Sequence, residues 1–329
     1  MKTKTMIVAM FAALLPFSAW GGQTDIQQVT LDNVHVYNYG DANDGNADDE
    51  DEGPIVERTL NLKDFKALRN NFTAEVQYTP NSQYSVKVAG SQKALDATEF
   101  SVKDGTLYID VSKKFKGRTT NLHKGVILYV SSPNLESISN TCALTIKADQ
   151  WKLQELNVEN SSALTFKVKE LDCQSLDISN SGAFAYKDGS VKADDVSISN
   201  SGSCKIDLTF SVKNTFDLSN SGASKLCGNV TAKSFSESCS GAIKDEAHIM
   251  AESLELDING AGHVNSTFKG KTASITGNGA SEINITVDCE KLAIDSNGLS
   301  KITVKGTADD AKIENHGMVK VDASELNKF

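Results

Sequence analysis

Histidines, cysteines and one GKT triplet are the residues of this 329-residue chain with the clearest capacity for chemistry. The five histidines, His35, His123, His248, His263 and His316, are scattered, with no ligand or triad spacing between them. The triplet at 270–272 would end a phosphate-binding loop only if glycine stood five residues before Gly270. Asn265 stands there, and the segment follows a corner rather than opening a helix. Cys142, Cys173, Cys204, Cys227, Cys239 and Cys289 contain no CxxC pair, so thiolate zinc or thioredoxin chemistry has no basis. GxSxG and HExxH are absent. Seven acidic residues fall between Asp41 and Glu52, but "DANDG" puts Gly45 one position early for an EF-hand and fixes no twelfth-position Glu. The sequence therefore assigns no catalytic, cofactor-binding or metal-ligating residue and calls for no cofactor. Nucleic acid is also excluded as a partner, because a net charge of −10 lacks the clustered Lys and Arg that phosphate contacts require.

What recurs instead is small and polar: "LDISNSGAF" at 176–184 and "FDLSNSGAS" at 216–224. Taking the residue after "SNS" as reference gives Cys142, Ser162, Gly182, Gly202, Gly222, Gly241, Gly262, Gly279, Gly298 and Gly317. The steps are 20, 20, 20, 20, 19, 21, 17, 19 and 19, a period that means a solenoid. Aliphatic residues stand four before the reference (Val158, Ile178, Ile198, Leu218) and six before it (Leu156, Leu176, Val196, Phe216). Alternation resumes after the turn at Leu144/Ile146, Leu164/Phe166 and Val319/Val321. A two-residue period with one apolar face is a strand, and no 3.6-residue pattern fills the rest of the unit. Stacked rungs rising about 4.8 Å each would make a rod on the order of 50 Å.

That architecture gives the polar phrase a role. Asn140, Asn160, Asn180, Asn200 and Asn220 are in phase with the inward apolar residues, so their amides can hydrogen-bond from rung to rung. N-S-G also suits a tight corner. A row of ligand-binding Asn and Ser side chains is the alternative reading. The outward column Asp177, Ser197, Asp217, Ser236, Asp257, Ser274 separates like charges by two rungs, which reads as a solvated face rather than a calcium stripe. Unit six is irregular: Glu237 takes the aliphatic position and Cys239 the Asn position, and a tolerated bulge is the expectation. No two cysteines share a column on neighbouring rungs, so buried free thiols are expected rather than stacked disulfides.

The remaining chain divides around the repeat. Lys2 and Lys4 precede an 11-residue apolar run, Met6 to Pro16, and cleavage after Gly21 would leave Ala19 and Gly21 at the small-residue positions. Residues 1–21 read as a signal peptide and 22–53 as an acidic, flexible segment, with one strand at "VTLDNVHVYNY". Residues 54–131 read as an irregular β region capping the solenoid, with strands at "FTAEVQY", "YSVKVAG" and "GVILYV" and a hairpin turning at Asp104-Gly105. Residues 132–329 carry the regular repeats. No segment is long and apolar enough for a transmembrane helix.

The order "LKDFKALRNNFTAEVQYTPNSQYSVKVAGSQKAL", "KDGTLYIDV", "VILYVSSPNLESIS" and then recurrent S/N-G-A corners resembles the head GIN domain family over roughly residues 56–325. Those are secreted bacterial proteins described as autotransporter adhesins. The resemblance implies an all-β, right-handed parallel β-helix, here of about ten 17–21-residue rungs, although no translocator barrel follows the repeats. It implies an exported protein of the periplasm, cell surface or extracellular space, acting as a non-enzymatic adhesin-like module for glycan, matrix or protein surfaces. A periplasmic envelope-associated structural protein is the alternative. A polysaccharide-active β-helix enzyme would need long loops projecting from its rungs, and steps of 17 to 21 leave little room for them.

Overall fold

The computed structural model describes residues 54–116, 125–317 and 320–328. The expected signal peptide at 1–21, the acidic segment at 22–53 and the inward position Val319 lie outside the described residues.

Alternation of apolar and polar residues has the expected consequence. From Ser137 onward each strand pairs in parallel with the strand one repeat later: Asn160 lies opposite Asn180, Asn180 opposite Asn200, and Asn200 opposite Asn220. The result is an all-β solenoid of about nine turns. Its interior is built of columns, such as Val158, Ile178, Ile198 and Leu218, all buried. The few aromatic residues of the repeats go inside and touch across rungs, with Phe166 and Phe184 edge to face at 5.5 Å and Phe216 stacked on Phe235 at 5.1 Å. Early turns split into a strand before the corner (Ser175–Asn180, Asp195–Asn200) and one after it (Ala183–Ala193, Ser203–Val212). From Ala223–Cys239 onward the strands lengthen and only the corner interrupts them, as in Ala242–Ile258, Ala261–Gly277 and Ala280–Gly298.

Two readings of the repeat need correction. The seventh corner is Gly260, not Gly262: Ala261 lies opposite Ala242, and a Cβ on Gly260 would run into the Gly241 carbonyl oxygen. Steps of 21 and 17 thus become 19 and 19. The phrase "NGAG" offers two glycines, and Gly262 is the second, at an inward site with φ +143°. The outward column accordingly continues from Ser236 to Glu255 and Ser274, and Asp257 lies opposite Ser238 and Thr276 instead. Acid and serine still alternate. Unit six, moreover, is not a bulge. Its strand is in register on both sides, Cys239 lying opposite Asn220 and Ile258, and the Glu237 side chain points inward. The register shifts occur elsewhere, between Lys187 and Gly189, where Asp188 has φ +60°, and between Thr303 and Lys305.

Before the repeats, strands Ala67–Asn70 and Ala74–Pro80 form a rung of the same kind. It stacks on the first regular unit, Asn70 opposite Asn140 and Ala74 opposite Leu144. Its other side pairs in parallel with Thr106–Val111 and Val126–Ser132, which come later in the chain. The spatial order of the first rungs is therefore not the chain order. Strands Ile55–Leu60, Ser85–Ser91 and Thr98–Lys103 add antiparallel pairings at this end, the last through the Asp104-Gly105 turn with φ +49° and +72°. One short helix, Gln92–Ala97, departs from the all-strand expectation; Ser91 Oγ accepts from Ala94 N–H at its start.

Candidate functional site

The corner builds the site. Each inward Asn amide donates to the next Asn along the coil: Asn70 to Asn140, 2.8 Å; Asn140 to Asn160, 2.8 Å; Asn160 to Asn180, 2.7 Å; Asn180 to Asn200 and Asn200 to Asn220, 2.6 Å each. The second amide proton closes the corner backbone, as where Asn180 Nδ2 reaches the carbonyls of Gly182 at 3.0 Å and Ser203 at 2.9 Å. Asn220 Nδ2 meets Cys239 Sγ at 3.2 Å, and there the ladder ends. The corner admits little else. A Cβ on Gly202 would collide with the Gly182 carbonyl oxygen of the rung below, because successive corners nest directly on one another.

Drawing Asn inward leaves its two chain neighbours facing solvent, and they line a furrow of about 700 Å³ along six rungs. One wall is Ser139, Glu159, Ser179, Ser199, Ser219 and Ser238; the other is Thr141, Ser161, Ser181, Ser201, Ser221 and Ser240. The walls differ chemically. Ser161 donates to the backbone carbonyl of the preceding rung's Asn at 3.1 Å, and Ser181 and Ser201 do so at 3.4 Å, so their lone pairs face the furrow; Thr141 Oγ1 lies 2.6 Å from Asn71 Oδ1 and 3.1 Å from the Asn70 carbonyl. Ser179, Ser199 and Ser219 engage no partner among the described residues, so those hydroxyls both donate and accept outward. Glu159 is the single charged lining residue. Of the alternative reading of the corner as a binding row, the serines stay available and the asparagines do not, being at most 3% exposed and consumed in the ladder.

The other candidates do not converge. His248 Nδ1 lies 2.9 Å from Thr267 Oγ1, His263 Nδ1 lies 3.2 Å from Glu282, His316 is exposed and interacts with Glu314, and His35 and His123 lie outside the described residues. The GKT triplet is inside strand Ala261–Gly277, with Lys271 Nζ 3.0 Å from Glu252. All six cysteines are free; five are buried and Cys142 is half-buried. Burial pushes the thiols of Cys173 and Cys204 up to about 12 and that of Cys289 to about 11. Among the described residues no group of three His, Cys, Asp or Glu side chains could hold a metal ion.

The profile of a family described as "Putative auto-transporter adhesin, head GIN domain" matches residues 64–210 and 255–328, well over half of the chain. The chain belongs to the head GIN domain family. Within it, the match to this head GIN protein skips residues 211–254, the stretch that contains Glu237, Cys239 and Asp245. A solved structure described as a "putative adhesin" from Parabacteroides distasonis is 16% identical, over 82% of this chain and 97% of that one, with a TM-score of 0.42. A "putative adhesin" from Bacteroides fragilis is 15% identical, over 82% and 96%, with a TM-score of 0.36. A P. distasonis structure described as a "putative lipid binding protein" is 13% identical, over 84% and 97%, with a TM-score of 0.42. No curated protein matches.

Proposed function

We propose that this head GIN protein is an exported, non-enzymatic adhesin-like module, and that the serine furrow is its binding surface for a repetitive, uncharged polar ligand such as a glycan. The observation that carries this is the row of unengaged hydroxyls on Ser179, Ser199 and Ser219. Elsewhere on the coil, outward columns neutralise themselves through pairs such as Lys269–Asp288 at 2.8 Å and Lys301–Glu282 at 2.6 Å. The furrow holds its hydrogen-bonding capacity open. Successive rungs offer the same donor and acceptor set about every 4.8 Å. One net hydrogen bond contributes only about 1 kcal/mol, so affinity would come from repetition along a rigid rod. The family assignment supports the adhesin reading, and the nearly constant length of the regular rungs from Ser137 onward, with no long loop inserted among their described residues, supports the non-enzymatic one.

A glycan array probed with the purified protein, beside an S179Y/S219Y variant whose rings fill the furrow, tests the assignment. Both substituted positions face solvent, so the fold should survive. Glycan binding by the wild-type protein that falls at least tenfold in the variant supports the furrow. Equal binding by both proteins refutes it.

A further inference from the structure

Rung six places two carboxyl groups in the interior of the coil. Glu237 occupies the column of Leu218 and Leu256, and Asp245, across the corner, occupies a column that continues with Val264. Both are essentially closed to solvent, at 2% and 1% exposure. Neither forms an ion pair among the described residues. The charged groups that act on Asp245 from the outer face are Lys225 and Glu246, which approach each other at 3.9 Å. The titratable groups facing the pair from inside are the thiols of Cys239 and Cys204. Asp245 Oδ1 accepts the Leu226 backbone N–H at 2.8 Å, while Asp245 Oδ2 and Glu237 Oε1 have no donor at all.

Two carboxylates in that position would each lose several kcal/mol of hydration with no cation to offset it. A proton on one of them removes one charge and supplies the missing donor. We propose that Glu237 and Asp245 share a single proton at neutral pH, and that this makes rung six a pH-sensitive joint in the solenoid.

The two groups take different parts. Burial, and next the negative charge of Asp245, hold Glu237 well above the ordinary carboxyl range, so Glu237 carries the proton. Burial also raises Asp245, to about 6, but the hydrogen bond from Glu237 and the Leu226 N–H pull the other way, so Asp245 is the acceptor. Both folded values exceed the unfolded ones. Stability from this pair is therefore complete below about pH 4 and is lost as pH rises through 6 and beyond. The rise of Asp245 from 3.8 to about 6 alone corresponds to a change of at least about tenfold in the opening equilibrium of the rung between pH 4.5 and 7.5. Because each rung contacts only its neighbours, the loss is local. It falls at the last rung of the furrow, where Ser238 and Ser240 flank Cys239.

Hydrogen exchange on the full chain at about pH 4.5 and 7.5, corrected for the intrinsic rates, tests this. Protection of residues 223–247 should fall at least about tenfold relative to residues 175–212 as pH rises, and the E237Q/D245N variant should lose that difference. Equal behaviour of the two regions in the wild type, or an unchanged response in the variant, overturns the proposal. Should the variant not fold, infrared spectroscopy of the wild type decides: a protonated carboxyl stretch at neutral pH sustains the proposal, and its absence sinks it.

Discussion

At the residue scale, the asparagine ladder shows how a polar side chain can hold a core together. Asn180 donates to Asn200 and to two corner carbonyls and accepts from Asn160, so its amide is satisfied without water. Asn180→Ala would strand those partners in a dry corner at about 1–3 kcal/mol per unsatisfied group. A total loss of about 3 kcal/mol or more is expected, read from the shift of a urea unfolding curve followed by circular dichroism. The cysteines make the opposite case, as small apolar fillers. With Cys204 at about 12, almost no thiolate is present at pH 8, and packing excludes reagents as well. Mass spectrometry after iodoacetamide treatment of the native protein should find Cys142 alkylated first and the five buried cysteines labelled only in denaturant. Early labelling of Cys204 would contradict the packing. That most of the cysteines would be buried free thiols was legible from the repeat; that Glu237 would point inward was not, because a bulge was expected at its rung. That Glu237 and Asp245 face each other across a corner was not, because they are eight residues apart on two strands and only folding joins them.

At the element scale, the unit is a corner with a strand on each side, and register follows from it. Gly202 stacks on Gly182 and Asn200 on Asn180, so each rung fits either neighbour of its own kind. Removal of one whole period, residues 203–222, should therefore leave a folded, shorter coil, because Gly202 then leads into Ala223 in the same phase. Removal of ten residues, 203–212, would set inward residues against the wrong columns. Far-ultraviolet circular dichroism and thermal melting should show a cooperative β protein in the first case and loss of structure in the second. A collapsed twenty-residue deletion would mean that the rungs are not interchangeable. The period was readable because corner chemistry repeats. The reading slipped at Gly262, where two glycines compete and only the backbone stacking on Gly241 selects Gly260. The helix at Gln92–Ala97 was missed because six residues carry too little periodicity to announce it.

At the scale of the whole molecule, stability spreads along one dimension, and the two ends differ. The N-terminal end carries the antiparallel strands Ile55–Leu60 and Ser85–Ser91 and the short helix, which we read as covering the first rungs. At the other end, strand Lys320–Lys328 pairs with Lys301–Gly317. The furrow runs along the first six regular rungs and stops where the Asn ladder does, at Cys239. Furrow and internal ladder are thus two faces of the same corner, and both terminate at the rung that buries the acid pair.

The sequence by itself determined the fold class, because a polar phrase returning every 19 or 20 residues between alternating apolar positions has one economical solution, a stacked coil of parallel strands. It also determined that the recurring Asn points inward, since phase in a strand sets the face, whereas at Glu237 the expected bulge gave way to an in-register strand. Only the tertiary structure decided what these residues meet: that Asn70, seventy residues away, begins the ladder at Asn140; that hydroxyls on both sides of it open a furrow; and that two acids are enclosed by aliphatic columns with one backbone N–H, from Leu226, between them and no ion pair among the described residues. Those facts depend on distances across the stack, which closing the coil creates and a linear repeat does not contain.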